Sequence, residues 1–356
     1  MNKSISTKTL QDLEFSTVLK HVTEYCISSL GREKVLNIEP INNKKYLFKE
    51  LELVNEYVSS FESENRVPNH NFDNITASIR RLAIENSFLE TNDFLKIATT
   101  SLTVNELIKF FKKIKTQFPT FYELSQKIEF TTFIDDEIKN IIDISGEVKN
   151  NASPILKQIR KDINNVRGKI GASFSSALSK SIASGYLDVI KETVIDNQRV
   201  LAVSAMHRKK VPGSLLGSSK SGNIVYIAPQ ATLSYSREYQ NLVYDEKQEI
   251  IKILRYLSAT IRPYVFLMEE YITFLIHTDV VGAKAKYAQE INAILPKISK
   301  EKKISFKNAY HPILWRKNKE QNLKTVSQSI ELNDKQQIIV ISGPNAGGKS
   351  ITLKTI

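Results

Sequence analysis

The sequence has almost no cysteine. Cys26 stands alone among 356 residues, so an internal disulfide is impossible and the paired cysteines of a structural zinc site are missing. Long apolar runs are missing too. Nothing approaches the ~18 consecutive apolar residues of a membrane-spanning helix, and the opening MNKSISTKTLQDLEF has no apolar core of the signal-peptide type. These absences point to a cytoplasmic protein with no membrane partner. Acidic residues are in deficit, 38 against 50 Lys and Arg, which leaves a net charge of +12. A basic excess points to a polyanion such as DNA or RNA, although a solvated lysine-rich surface has the same composition. A wholly disordered chain is excluded by a hydrophobic content of 41% and a charged content of 25%. At ~150 residues per domain the length allows two to three domains.

Apolar periodicity divides the chain. Up to residue 140 the spacing is helical, as in Leu10, Leu13, Val18, Leu19, Val22 and Cys26, and again in Val104, Leu107, Ile108, Phe111 and Ile114. The aromatics Phe61, Phe72, Phe88 and Phe94 read as core residues, not as a stacking platform. Ser153-Pro154 then has the form of a capped helix start, followed by Ile155, Ile159, Ile163 and Val166. The Gly/Ser-rich GASFSSALSKSIASG weakens helix propensity and is expected to bend or fray the helix. From Val189 to Ala231 short β-branched runs predict strands, with hairpin turns at Asp196-Asn197 and Ser221-Gly222-Asn223 and a strand end at Pro229. A long helix is predicted after Ser234, broken near Pro263, with another from Glu269 to about Ile294. The segments ISFKNAYHPIL and VSQSIELN read as short strands. The run Ile338-Ile339-Val340-Ile341 has the character of a buried strand.

That last run leads directly into Gly343-Pro344-Asn345-Ala346-Gly347-Gly348-Lys349-Ser350, which satisfies G-x-x-x-x-G-K-[ST]. The residue types suit phosphate chemistry. Glycines let the backbone turn its N–H groups inward onto β- and γ-phosphates, Lys349 adds a compact positive charge, and the Ser350 hydroxyl is a ligand for Mg²⁺. A pattern that fixes only four positions also arises by chance, but an apolar strand before it and the helix-capable ITLKTI after it favour nucleotide binding. The expected cofactors are ATP and Mg²⁺, with Ser350 as the metal ligand from this chain.

Taken together, DLEFSTVLKHV, IDISGEVKNNASPILKQIR, QRVLAVSAMHRKKVPGSLLGSSKSGNIVYIAPQ, and the pair AYHPIL and ISGPNAGGKSITLKT resemble, in order, segments of the MutS family of DNA mismatch repair ATPases. The nearest branch in resemblance is the bacterial paralogues that lack the mismatch-reading domain and often carry a C-terminal Smr nuclease domain. The resemblance implies a mainly α fold. Residues 1–140 would be a helical core or lever domain, 141–235 an outgoing arm and β-containing clamp, 236–300 returning long helices, and 301–356 the incomplete start of an ABC-type P-loop α/β domain. It also implies phosphate-loop roles for Gly343, Asn345, Gly347, Gly348, Lys349 and Ser350, and a place near adenine for His311 of the His311-Pro312 element. Such proteins form homodimers whose composite sites use the partner's signature loop. Walker B and that loop do not occur here, so the chain reads as the front of a longer ATPase and is not expected to hydrolyse ATP unaided. Two departures stand out. The stretch between Arg167 and Gly185 is shorter and richer in Ser and Gly than the branch's arm, and Ala228 replaces the glutamate of its IEP element.

Independently of the resemblance, Arg199, Arg208, Lys209, Lys210 and Lys220 fall in a span without an acidic residue. They form a candidate surface for duplex or branched DNA, contacting phosphates and not base edges; the bland alternative is a solvated turn. His207 has no paired ligand and reads as a surface or structural residue. The expected role is ATP-dependent DNA binding in repair or suppression of recombination, with no mismatch reading. An alternative is a nucleotide-gated dimer acting on protein or ribosomal RNA. A transporter ATPase fits poorly, because so much helical chain precedes the loop.

Overall fold

The computed structural model describes residues 5–344 and 348–356. In chain order the helices are α1 (Thr7–Asp12), α2 (Phe15–Thr23), α3 (Ser29–Leu36), α4 (Lys44–Ser59), α5 (Thr76–Leu82), α6 (Thr91–Lys113), α7 (Pro119–Ser125), α8 (Phe133–Ile141) and α9 (Pro154–Ala183). Strands β1 (Leu187–Ile195), β2 (Gln198–Ser204), β3 (Gly213–Ser218) and β4 (Ile224–Pro229) follow, then α10 (Gln230–Ile261) and α11 (Val265–Glu290). The last elements are β5 (Ile304–Ala309), α12 (Pro312–Glu320), β6 (Gln328–Leu332) and α13 (Lys349–Thr355). The fold is thus mainly α-helical with two small antiparallel sheets. None of the helices among the described residues is long and apolar enough to cross a membrane. By backbone proximity the chain divides into two compact units.

The first unit holds residues up to Ala83, then Lys96–Asp136 and Pro263 onward. Its centre is α11, which buries residues around its whole circumference, among them Leu267, Tyr271, Leu275, Val281 and Ala285. A helix apolar on all sides belongs in a core. Leu19 and Val22 of α2, Val35 of α3 and Val280, Ala283 and Tyr287 of α11 form one cluster with Cys26. The backbones come close where side chains are small. A β-carbon at Gly282 would stand 3.0 Å from the Tyr57 ring of α4. Helix ends are capped from afar. Asp279 of α11, only 1% exposed, accepts from the N–H groups of Ile27 (2.8 Å) and Ser28 (2.9 Å) and from the Ser28 hydroxyl (2.7 Å) at the start of α3. Glu56 of α4 accepts from the N–H groups of Thr120 (2.7 Å) and Phe121 (3.1 Å) at the start of α7. Burial pushes the Glu56 carboxyl above the ordinary range, against the opposing pull of those bonds.

The second unit holds Ile84–Leu95 and Glu137–Arg262. Helices α9 and α10 lie side by side. At 30 and 32 residues they are about 45–48 Å long. Between them in sequence lies a sheet of order β1-β2-β4-β3, antiparallel throughout. Leu201, Val203, Val225 and Ile227 of the sheet bury themselves with Phe174 of α9. The expected Ser153 cap is present: its hydroxyl accepts from Leu156 N–H at 3.0 Å and donates to Glu249 at 2.8 Å. Asp196 and Asn197 both have positive φ, 48° and 59°, as a two-residue hairpin of the I′ kind requires. The helix break at Pro263 is a single 3₁₀ turn, Arg262–Tyr264.

Three expectations change. The Ser/Gly-rich stretch does not fray the helix; α9 runs through it to Ala183. Phe174, Ala177 and Leu178 pack on the sheet there, and tertiary burial outweighs a modest propensity deficit. The HPIL residues are not strand but the first turn of α12, started by His311 and Pro312. Ile338–Ile341 belong to no strand, and Ile338 and Val340 are 84% and 86% exposed. A strand is held by hydrogen bonds to a neighbouring strand, and none pairs with this run among the described residues. Of the four aromatics read as core, Phe72 and Phe94 are buried, while Phe61 and Phe88 are half-buried.

Candidate phosphate loop and basic module

Gly343 and Gly348 flank the centre of the loop and both lie at positive φ, 148° and 80°. A side chain at either would meet open space but strained backbone. Gly348 is the residue from which α13 starts. The Lys349 ammonium donates to the Gly343 carbonyl at 2.7 Å, so the cation of the motif folds back over the two described ends of the loop. Pro344 and Ser350 are exposed. Asn345, Ala346 and Gly347 lie outside the described residues.

A charge pair holds α13. Lys354 donates to Glu14 Oε2 at 2.7 Å, and that hydrogen bond keeps the Glu14 carboxyl below its ordinary range. His311 lies in the field of the same pair. It is 5% exposed and caps α12, its Nδ1 accepting from Leu314 N–H at 3.4 Å. That bond needs the neutral ring with its proton on Nε2. Burial lowers the His311 pKa, helped by Lys354 and opposed by Glu14. On the next turn Trp315 is half-buried, with the Lys319 ammonium 4.5 Å from its ring centroid. Arg316 binds Glu24 at 2.5 Å and Glu290 at 3.3 Å, fastening α12 to the helical unit. Thus His311 and the helix following the loop share one electrostatic neighbourhood. Glu14, 340 residues from Lys354, had no sequence signal that would have found it. No three His, Cys, Asp or Glu side chains group as a metal site among the described residues.

The basic residues of the second unit separate into two sets. Arg208, Lys209 and Lys210 are exposed on a 3₁₀ stretch, Ala205–Lys210, that follows β2. Lys220 is exposed on the β3–β4 turn, which is tied to the start of that stretch by a bond from Ala205 N–H to the Asn223 carbonyl, 2.8 Å. Lys210 lies 5.5 Å from the Tyr186 ring, and His207 leans on the same ring at 5.1 Å, in line with a structural role. Arg199 stands apart at the other end of β2. It pairs with Glu192 at 2.6 Å and lies over Phe174 at 4.3 Å. Ala228, where the resemblance implied a glutamate, is 2% exposed in β4; a carboxylate there would lose its hydration.

No family model matches the chain. Curated bacterial proteins named endonuclease MutS2 are homologous to it over nearly its whole length. The one from Pelotomaculum thermopropionicum is 29% identical over 348 residues, 98% of this chain and 43% of that protein. The one from Bacillus velezensis is 30% identical over 352 residues, 98% and 44%. The one from Pediococcus pentosaceus is 26% identical over 362 residues, 100% and 44%. The chain therefore spans less than half the length of the curated relatives it matches.

Proposed function

We propose that this polypeptide is the nucleotide-binding and clamp-bearing part of a MutS2-like, ATP-dependent DNA-binding protein, acting in the cytoplasm in repair or in suppression of recombination. The observation that carries this reading is GPNAGGKS in a chain homologous to MutS2 proteins across 98% of its length. The reading assigns residues 1–140 to a helical core, 141–235 to an arm and clamp, 236–300 to returning helices and 301–356 to the first part of an ABC-type ATPase domain. It also implies a homodimer.

The residues suit a nucleoside triphosphate with Mg²⁺. Gly343 and Gly348 hold conformations a larger residue resists, Lys349 bonds back to the Gly343 carbonyl, and Ser350 is exposed. In this reading Gly343, Pro344, Asn345, Ala346, Gly347, Gly348, Lys349 and Ser350 hold the phosphates. Ser350 is the Mg²⁺ ligand, and His311 flanks the adenine side. The metal supplies charge neutralisation of the phosphate oxygens. The chain's own contribution is the cradle and the lysine charge. Arg208, Lys209, Lys210 and Lys220 hold DNA through its phosphates, and Arg199, at the other end of β2, adds a separate DNA contact.

The test is equilibrium binding of a fluorescent ATP analogue to residues 1–356. Lys349→Ala is expected to weaken binding about 10-fold or more, as for loss of a charge-assisted phosphate contact. Equal affinity in both proteins would overturn the reading.

A further inference from the structure

We propose that a cleft in the second unit, walled by α9, α10 and the β1–β2 hairpin, receives an unpaired nucleotide of a DNA strand. This deepens the DNA-binding reading above and rests on it. The cleft measures about 440 Å³, a size suited to one small ligand group.

Its chemistry combines flat cations, aromatic rings and carboxamides. Arg199 is pinned from two directions. Phe174 lies under its guanidinium at 4.3 Å, and Glu192 holds one edge at 2.6 Å. The Arg199 side chain is nevertheless 45% exposed, and the residue lines the cleft. Arg167 also lines the cleft; it donates to the Tyr239 hydroxyl at 3.1 Å and lies 5.6 Å from that ring. Each guanidinium is thereby preorganised as a plane with donors to spare. Asn197 and Gln240 add carboxamides, each both donor and acceptor. Asp196 is the one carboxylate among the described lining residues.

These groups match the parts of a single nucleotide. A guanidinium plane backed by an aromatic ring is a stacking surface for a base face, carboxamides read a base edge, and a second arginine meets the phosphate. A duplex keeps its base faces covered by stacking, so only an unpaired or extruded nucleotide can use the stacking surface. The position also accounts for Arg199, which stands away from Arg208, Lys209 and Lys210. Those three serve any phosphate backbone, whereas Arg199 serves a base.

The experiment is fluorescence anisotropy with residues 1–356 and two labelled probes, oligothymidylate and a fully paired hairpin duplex. Arg167→Ala and Arg199→Ala are each expected to weaken oligothymidylate binding about 10-fold while changing duplex binding far less. Arg199→Lys keeps the charge but not the plane, and is expected to lose the same preference with an unchanged unfolding midpoint. Replacing Arg208, Lys209 and Lys210 together is expected to weaken both probes. Equal losses for both probes in the cleft variants would overturn the proposal, as would full recovery of oligothymidylate binding in Arg199→Lys. Unchanged binding in the cleft variants, with loss in the triple variant, would overturn the cleft and leave the basic module standing. Binding of neither probe by the unmodified protein would overturn both readings.

Discussion

At the scale of single residues, long-range capping makes sharp predictions. Gly31 lies inside α3, where replacement by alanine ordinarily stabilises a helix by about 0.5–1 kcal/mol. Here the new β-carbon would stand 2.1 Å from Asp279 Oδ2, one oxygen of a carboxylate held by three hydrogen bonds. Gly31→Ala is therefore expected to destabilise by about 1–3 kcal/mol, the cost of overpacking, in urea unfolding; stabilisation would show that Asp279 moves freely. His311 makes a pH prediction. Its folded pKa lies below the ordinary value of 6.5 because burial disfavours the charged ring. The unfolded state therefore binds protons first, so this contribution to stability is complete above about pH 6.5 and is lost as pH falls through the depressed folded value. Asparagine is also a good cap, so His311→Asn is expected to keep α12 while flattening the acid slope of stability, read from unfolding midpoints across that window.

At the scale of elements, α9 shows how little local propensity decides in a long packed helix. Gly168 and Gly171 lie within it, and a β-carbon at either meets nothing within 4 Å. Gly168→Ala is expected to stabilise by about 0.5–1 kcal/mol, measurable as a raised unfolding midpoint; no gain would mean that α9 bends at Gly168 in solution. Legibility differed between elements for physical reasons. The Ser153-Pro154 start, the Asp196-Asn197 turn and the break at Pro263 were readable because backbone chemistry within a few residues determines them. The continuation of α9 to Ala183 was not readable, because Phe174 gains its burial from β2 and β4. Nor was the fate of Ile338–Ile341, whose composition announces a strand but whose strand state depends on neighbours elsewhere in the chain.

At the scale of the whole molecule, the net charge of +12 is spread over both units, and the proposed DNA contact draws on a small part of it. Neutralising three phosphates with Arg208, Lys209 and Lys210 contributes a slope of about −2.7 in log affinity against log salt. Replacing all three with alanine is expected to weaken duplex binding and to flatten the slope by about that amount. An unchanged slope in salt titrations would assign the contact to other residues.

The sequence by itself determined the phosphate-loop pattern, the succession from helical to β and back to helical chain, the hairpin turns and the basic span. All of these follow from residue type, spacing and short-range backbone sterics. Only the tertiary structure decided that Asp279 caps a helix 251 residues away, that Glu14 holds Lys354 beside His311, and that Arg199 leaves the other basic residues to share a cleft with Arg167 and Tyr239. Such contacts join groups far apart in the chain. Their energy comes from burial and geometry that no local window of sequence contains.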